Sequence, residues 1–211
     1  SSSSRGLGDV YKRQEIILIR HGEAASSWGD DPDPGLSNLG KSQAEAVKEN
    51  LESFTSQNFQ LISSPKKRAI ETAQPTSLDW RSEIKIDDAF SEIPASNIKI
   101  ERRMEWLKSM MNMDIAMLPM DVKEWRSRII EKLKNIKSNS IIFSHFMVIN
   151  VVVGYIKNHS ILLSMYPDNG SLTKIKVSNG KISLIEIGDE KNTKINTCLL
   201  YTSPSPRDYE L

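Results

Sequence analysis

Apolar residues fall into short blocks along this chain, and the spacing within each block separates strands from helices. Glu15 to Ile19 is a brief run rich in β-branched residues, too short for a helix, and predicts an interior strand. A polar, turn-rich stretch, "AASSWGDDPDPG", follows it. From about Ser37 to Phe54, the apolar positions Ala44, Val47, Leu51 and Phe54 recur at helical spacing, with Ser37 or Asn38 as the N-cap. "NFQLISS" predicts a second strand. "PKKRAIETAQ" predicts a helix after it, with Ser64 as N-cap and Pro65 in the first helical position. "EIKIDDAF" predicts a third strand running into the loop "SEIPAS". Residues from about Lys99 to Lys137 are helical in pattern, broken near Pro119. "NSIIFS" predicts a fourth strand and Met147 to Lys157 a short apolar helix. "SLTKIKV", "SNGK" and "ISLIEIG" predict a hairpin with Asn179-Gly180 as a type I′ turn. Strands alternating with helices, then an antiparallel hairpin, predict a three-layer α/β/α sandwich on a mostly parallel sheet.

Composition narrows the function classes. The 211 residues give room for one domain with a good core, and a formal net charge of +1 makes no electrostatic case for nucleic acid or an anionic membrane. No apolar run approaches the length of a membrane span and no secretory h-region is present, so a cytoplasmic location is expected. The one cysteine, Cys198, excludes an internal disulfide framework and a cysteine-based zinc site. Residues 1–14 and 198–211 have no hydrophobic period and resemble translated linker read-through. They are expected to be non-native or disordered tails around a single domain over residues 15–197.

Four of the predicted segments share one structural address. His21 follows the first strand, Ser63 and Ser64 end the second, Glu92 lies past the third and His145 ends the fourth. Ligands of open α/β sheets bind outside the carboxyl ends of the strands. Arg20 precedes His21, Arg68 falls in the first turn of the helix after the second strand, and Gly22 permits close backbone approach. Two helix N-termini would point free N–H groups and positive dipole ends at the same crevice. Two histidines, two arginines and a carboxylate there suit a compact anion with several acceptor oxygens.

The chain resembles the histidine phosphatase superfamily, with its phosphoglycerate mutase-like fold. "LIRHGEA" is similar to the signature strand, "SSPKKRAIETA" to the second motif, "FSEIPAS" to the acid segment and "FSHFMVI" to the second-histidine segment. "GLSNLGKSQA" and "DNGSLTKI" resemble two structural motifs of that fold, and together the matches run from about Glu15 to Val177. The resemblance implies that His21 is the nucleophile and passes through a phosphohistidine. It implies that Arg20, Arg68 and His145 hold the transferring phosphoryl group and that Glu92 is the proton donor. The chemistry agrees with those roles. Imidazole attacks only through a free nitrogen, arginines disfavour its protonation, and an alkoxide leaving group needs a proton. Phe146 stands where the family usually has glycine, and Ser27 where many members have asparagine. Ser27 is a candidate phosphate contact.

Other residues have blander readings. His159 is expected to be a solvated residue after a helix, and Trp106 and Trp125 to be core anchors. "DDPDP" reads as turns rather than a calcium loop, so neither a metal nor a cofactor is expected. Glu23 is a second carboxylate beside His21. Six methionines between Met104 and Met120 fill gaps between helices or form an adaptable wall over the organic part of a substrate, with Arg102 and Arg103 on a solvated face or as added anion contacts. The expected activity is metal-independent phosphomonoester hydrolysis of a small phosphorylated substrate or a phosphoprotein. The alternatives are phosphoglycerate mutase-type transfer and a non-catalytic phosphate- or phosphoprotein-binding module.

Overall fold

Four strands carry the aliphatic runs that the spacing predicts, and two more close one edge. The computed structural model describes residues 13–26, 30–95 and 97–190. Its strands are β1 (Arg13–Arg20), β2 (Gln60–Ser63), β3 (Ile84–Ile86), β4 (Ser140–Ser144), β5 (Leu172–Ser178) and β6 (Lys181–Glu186). They form one sheet in the order β3-β2-β4-β1-β5-β6. The pairs β3/β2, β2/β4 and β4/β1 are parallel, and β1/β5 and β5/β6 are antiparallel.

The helices are α1 (Asn38–Asn50), α2 (Lys67–Trp80), α3 (Arg103–Met111), α4 (Met120–Lys134) and α5 (Phe146–Lys157). Alternate residues of β1 serve two cores. Ile16 and Leu18 pack with α4 and α5 through Trp125, Ile129, Val148 and Val152. Ile17 and Ile19 pack with α1 and α2 through Val47, Leu51 and Ala73. A strand buried on both faces needs no polar alternation, which is why β1 reads as a continuous aliphatic run. The result is a three-layer α/β/α sandwich.

Several boundaries differ from the pattern, each for a local reason. Strand β1 begins at Arg13, two residues before the predicted start, because Arg13 and Gln14 pair with Ser178 and Val177 of β5. Helix α1 is capped by Ser37, whose Oγ accepts the Gly40 N–H, but it ends at Asn50, and Phe54 lies on the following 3-10 turn. Helix α2 starts at Lys67, so neither Ser64 nor Pro65 takes its predicted place, and its cap residue Lys66 makes no side-chain cap bond. Strand β3 stops at Ile86 because Asp87 turns the chain, its Oδ1 accepting the Ala89 N–H. The helical pattern after Lys99 divides into α3 and α4 around the 3-10 turn Ile115–Met117, which Asp114 caps. At the hairpin, Asn179 and Gly180 have φ of 51° and 72°, both positive as a type I′ turn requires.

The methionines divide as well. Met110 and Met111 are buried in the core, whereas Met117 and Met120 are 75% and 69% exposed. Trp125 is buried and Trp106 packs against the same core. His159 is partly buried rather than solvated, because its Nδ1 meets Ser164 Oγ at 3.2 Å. Arg102 is on a solvated face, 3.9 Å from Glu105. The Nε–H of Arg103 donates to the Ile98 carbonyl at 3.4 Å. No helix among the described residues is long and apolar enough to cross a membrane.

Candidate active site

Sheet order explains which side chains meet. Strand β4 lies between β1 and β2, and Arg20 is in register with Ser144 while Ser63 is in register with Phe143. The chain therefore leaves three neighbouring strands at one level, with His145 between His21 and Ser64. The His21 N–H donates to the Ser144 carbonyl at 3.0 Å and the Ser64 N–H to the Phe143 carbonyl at 3.0 Å.

Arg68 joins the two imidazoles. Its Nε–H donates to His21 Nε2 at 3.0 Å, and Nη2 donates to His145 Nδ1 at 3.3 Å. The partners on the far sides fix both tautomers. The carbonyl of Gly22 can only accept, so His21 Nδ1 carries the hydrogen of their 2.7 Å bond and Nε2 keeps the lone pair. In the same way, a guanidinium on His145 Nδ1 leaves the hydrogen on Nε2, which donates to Ser64 Oγ at 2.7 Å. The rings meet edge to face with centroids 5.2 Å apart. Burial, and then the Arg68 charge, hold both imidazoles well below the ordinary histidine range, so both are neutral.

Arg20 approaches from the other direction. Its Nη1 donates to the Pro167 carbonyl at 2.7 Å and its guanidinium carbon lies 5.3 Å from the centre of the Phe146 ring. Burial lowers its pKa to about 10, against the opposing pull of Glu92 and Asp168. Arg20 Nε and Arg68 Nη1 are buried and make no hydrogen bond among the described residues. The nearest acid group to Arg68 Nη1 is Asp33, with Oδ1 at 4.0 Å. Two such guanidinium groups beside neutral imidazoles are suited to a tetrahedral oxyanion.

Glu92 stands in the loop after the 3-10 turn Asp88–Phe90, partly buried. Burial raises its pKa, opposed by the N–H groups of Ile93 and Met147 and by the charges of Arg68 and Arg20. Burial thus makes the Glu92 carboxyl hold a proton more tightly than an ordinary carboxyl group, the direction a proton donor requires.

One expectation about this region is corrected. The helix ends do not offer wholly free N–H groups. Asp33 Oδ1 accepts the Lys67 N–H at the start of α2, at 3.1 Å, and Glu92 is drawn to the Met147 N–H at the start of α5. Glu23 is engaged elsewhere, its Oε1 accepting from Ser37 Oγ at 2.7 Å. Ser27 lies outside the described residues. Among the described residues, no group of three or more histidine, cysteine, aspartate or glutamate side chains could hold a metal ion.

Some contributors were not identified from the pattern. The pattern places Ser64 at this address but as a helix cap, whereas its hydroxyl orients His145. Thr72 Oγ1 accepts the Gly22 N–H at 3.0 Å, and Asn169 Nδ2 donates to the His21 carbonyl at 2.9 Å. Thr72 sits one turn beyond Arg68 on α2, a spacing that points both side chains to one face. Gly22 also has a steric reason: a Cβ there would lie 2.5 Å from the Gly40 carbonyl oxygen.

A family model for the histidine phosphatase superfamily (branch 1) matches residues 16–190. No curated protein matches the chain. Among solved structures, phosphoglycerate mutase from Bacillus anthracis str. Sterne is 18% identical with a TM-score of 0.62, over 85% of this chain and 94% of that one. Phosphoserine phosphatase from Entamoeba histolytica, solved with 3-phosphoglyceric acid, is 21% identical with a TM-score of 0.63, over 84% and 98%. Bacillus stearothermophilus YhfR is 20% identical with a TM-score of 0.66, over 84% and 98%. These likenesses show a shared fold.

Proposed function

The chain belongs to the histidine phosphatase superfamily, branch 1, and from that premise we propose that it hydrolyses phosphomonoesters through a phosphohistidine on His21. The observation that carries the proposal is the bond from Arg68 Nε–H to His21 Nε2, with Nδ1 held by the Gly22 carbonyl. It supports a neutral imidazole whose one lone pair faces a cation built for phosphate. Phosphatases and a mutase are among the structures with this fold, and phosphoryl transfer is common to both.

In the first step the phosphoryl oxygens take over the donors of Arg68 and Arg20, which frees His21 Nε2. That nitrogen attacks phosphorus as the ester P–O bond breaks, and the leaving oxygen takes the proton of the Glu92 carboxyl. In the second step Glu92, now a carboxylate, accepts a proton from water as the water oxygen attacks phosphorus. The P–N bond breaks, and inorganic phosphate and neutral His21 are released. Arg20, Arg68 and His145 stabilise the charge that builds on the phosphoryl oxygens, the largest contribution in such transfers.

Hydrolysis of p-nitrophenyl phosphate tests the reading, with a chelator present throughout. Steady release of phosphate and nitrophenol in equal amounts, inhibited competitively by vanadate, is the expected result. Transfer of the phosphoryl group to an added phosphoglycerate, in preference to water, would replace hydrolysis with mutase chemistry. No turnover with retained vanadate binding would leave a binding module.

A further inference from the structure

Glu92 has few contacts that would aim it. Its Oε1 accepts the N–H of Ile93, the next residue, at 3.0 Å, and the Met147 N–H also favours its charged form. Among the described residues no other side chain hydrogen-bonds to it, whereas His21 and His145 are both gripped by side chains. The position of the carboxyl is therefore decided by the backbone that bears it.

That backbone is held from two elements. The indole N–H of Trp125, on α4 and only 1% exposed, donates to the Ser91 carbonyl at 2.9 Å. Ser144 Oγ, fully buried at the end of β4, donates to the Phe90 carbonyl at 2.8 Å. A third tie lies just upstream, where Lys132 of α4 pairs with Asp87 Oδ2 at 2.6 Å. Glu92 comes from beyond the edge strand β3, yet Ser144 immediately precedes His145 at the centre of the sheet. The two donors thus draw an edge loop to the middle of the site.

We propose that Trp125 and Ser144 are positioning residues, clamping the two successive carbonyls before Glu92 so that its carboxyl meets the leaving-group oxygen. This rests on Glu92 being the proton donor, as proposed above. For Trp125 the decisive group is the N–H rather than the ring volume. A carbonyl in the interior that loses its donor shifts to find another, and the loop shifts with it. Displacements of about 1 Å at a reacting group cost up to roughly 10²-fold in rate.

The test uses Trp125→Phe and Ser144→Ala in the full chain, with Glu92→Gln alongside. Single-turnover phosphorylation of the enzyme is measured with β-glycerophosphate, whose alkoxide needs a proton, and with p-nitrophenyl phosphate, whose phenolate does not. Each positioning variant is expected to slow the alkyl reaction roughly 10-fold or more, and the aryl reaction far less. Combined with Glu92→Gln, neither variant should add a further alkyl-selective loss. A purely structural role slows both substrates alike, and equal slowing or an unchanged alkyl-to-aryl ratio overturns the proposal. If Trp125→Phe does not fold, Ser144→Ala decides by the same ratio. If Glu92→Gln moves the ratio and the positioning variants do not, the clamp alone falls. If Glu92→Gln leaves it unchanged, the acid assignment falls and takes the clamp with it.

Discussion

The two halves of the site are built by opposite means. Around His21 and His145, side chains hold side chains: Arg68 bridges the imidazoles, and Ser64 Oγ and the Gly22 carbonyl fix their outer nitrogens. Around Glu92, side chains hold backbone, and the carboxyl itself is bonded by neighbouring N–H groups. The first half sits at the ends of three adjacent strands, where the sheet's register sets the spacing. The second half hangs on a loop from the edge. The difference matches the tasks. In the proposed reaction the phosphoryl oxygens would be met by fixed charges, whereas Glu92 would serve first a leaving group and then a water molecule.

Replacing Glu92 by Gln is the most powerful way to separate the halves. It keeps shape and polarity but removes the proton, so alkyl phosphates should slow by the roughly 10²–10⁴-fold typical of general acid catalysis. Activated aryl phosphates should slow much less. Single-turnover rates with both classes check it, and equal losses would mean that Glu92 belongs to the phosphate-holding half.

Arg68→Lys makes the converse cut. It keeps a positive charge but cannot bond both imidazoles and a phosphoryl oxygen from one rigid fork. A loss of roughly 10²–10³-fold in kcat, the scale of deleting one preorganised donor, is expected on alkyl and aryl substrates alike. A loss confined to one leaving-group class would break the comparison.

The same contrast governs stability. His21 and His145 have folded pKa values below the ordinary value of about 6.5, because burial and Arg68 disfavour their charged forms. Below that pH the unfolded chain takes up protons that the folded chain refuses. Stability is therefore present above about pH 6.5 and falls as pH drops, by up to about 1.4 kcal/mol per pH unit for each histidine. Glu92 has the opposite sign. Its folded pKa is raised, so its contribution is present below the unfolded carboxylate range and is lost as pH rises through the folded value. Urea unfolding across pH 5 to 7 should lose about half of that histidine slope when His145 is replaced by Gln, if that variant folds, because His21 still titrates. An unchanged slope would move the titrating groups elsewhere.

The smallest effect is expected at Glu23. Its carboxylate accepts from Ser37 Oγ, the hydroxyl that caps α1, so it belongs to neither half. Glu23→Gln should leave both phosphorylation rates within about twofold, while Ser37→Ala should lower stability by about 1 kcal/mol, the usual worth of an N-cap. An alkyl-selective loss in Glu23→Gln would make it a proton donor instead.

The sequence revealed the strand ends more readily than the loops. Runs such as Glu15 to Ile19 and "NSIIFS" are buried on both faces, so their apolar content marks them without ambiguity, and the residues just after them were legible as a group. Ser64 and Asp33 were not. Both follow local rules for caps and turns, and those rules exchanged partners here: Asp33 caps α2 from 34 residues away, and Ser64 turns to His145. Trp125 was legible as a core residue because its helical spacing reports burial, while the target of its N–H depends on where a distant loop lies. The methionine-rich segment was ambiguous for a related reason. Spacing marks Met110 and Met111 as inward, but it does not say that Met117, ending a 3-10 turn, and Met120, opening α4, face solvent.

The central claim is that His21 Nε2 becomes phosphorylated. Rapid quenching of the enzyme with a labelled phosphomonoester, followed by peptide mapping under alkaline conditions, tests it most directly. One acid-labile, alkali-stable label per chain is expected, on the peptide carrying His21, at Nε2 rather than Nδ1, and absent from His21→Ala. A label that persists in His21→Ala, or one on any other residue, would contradict the account.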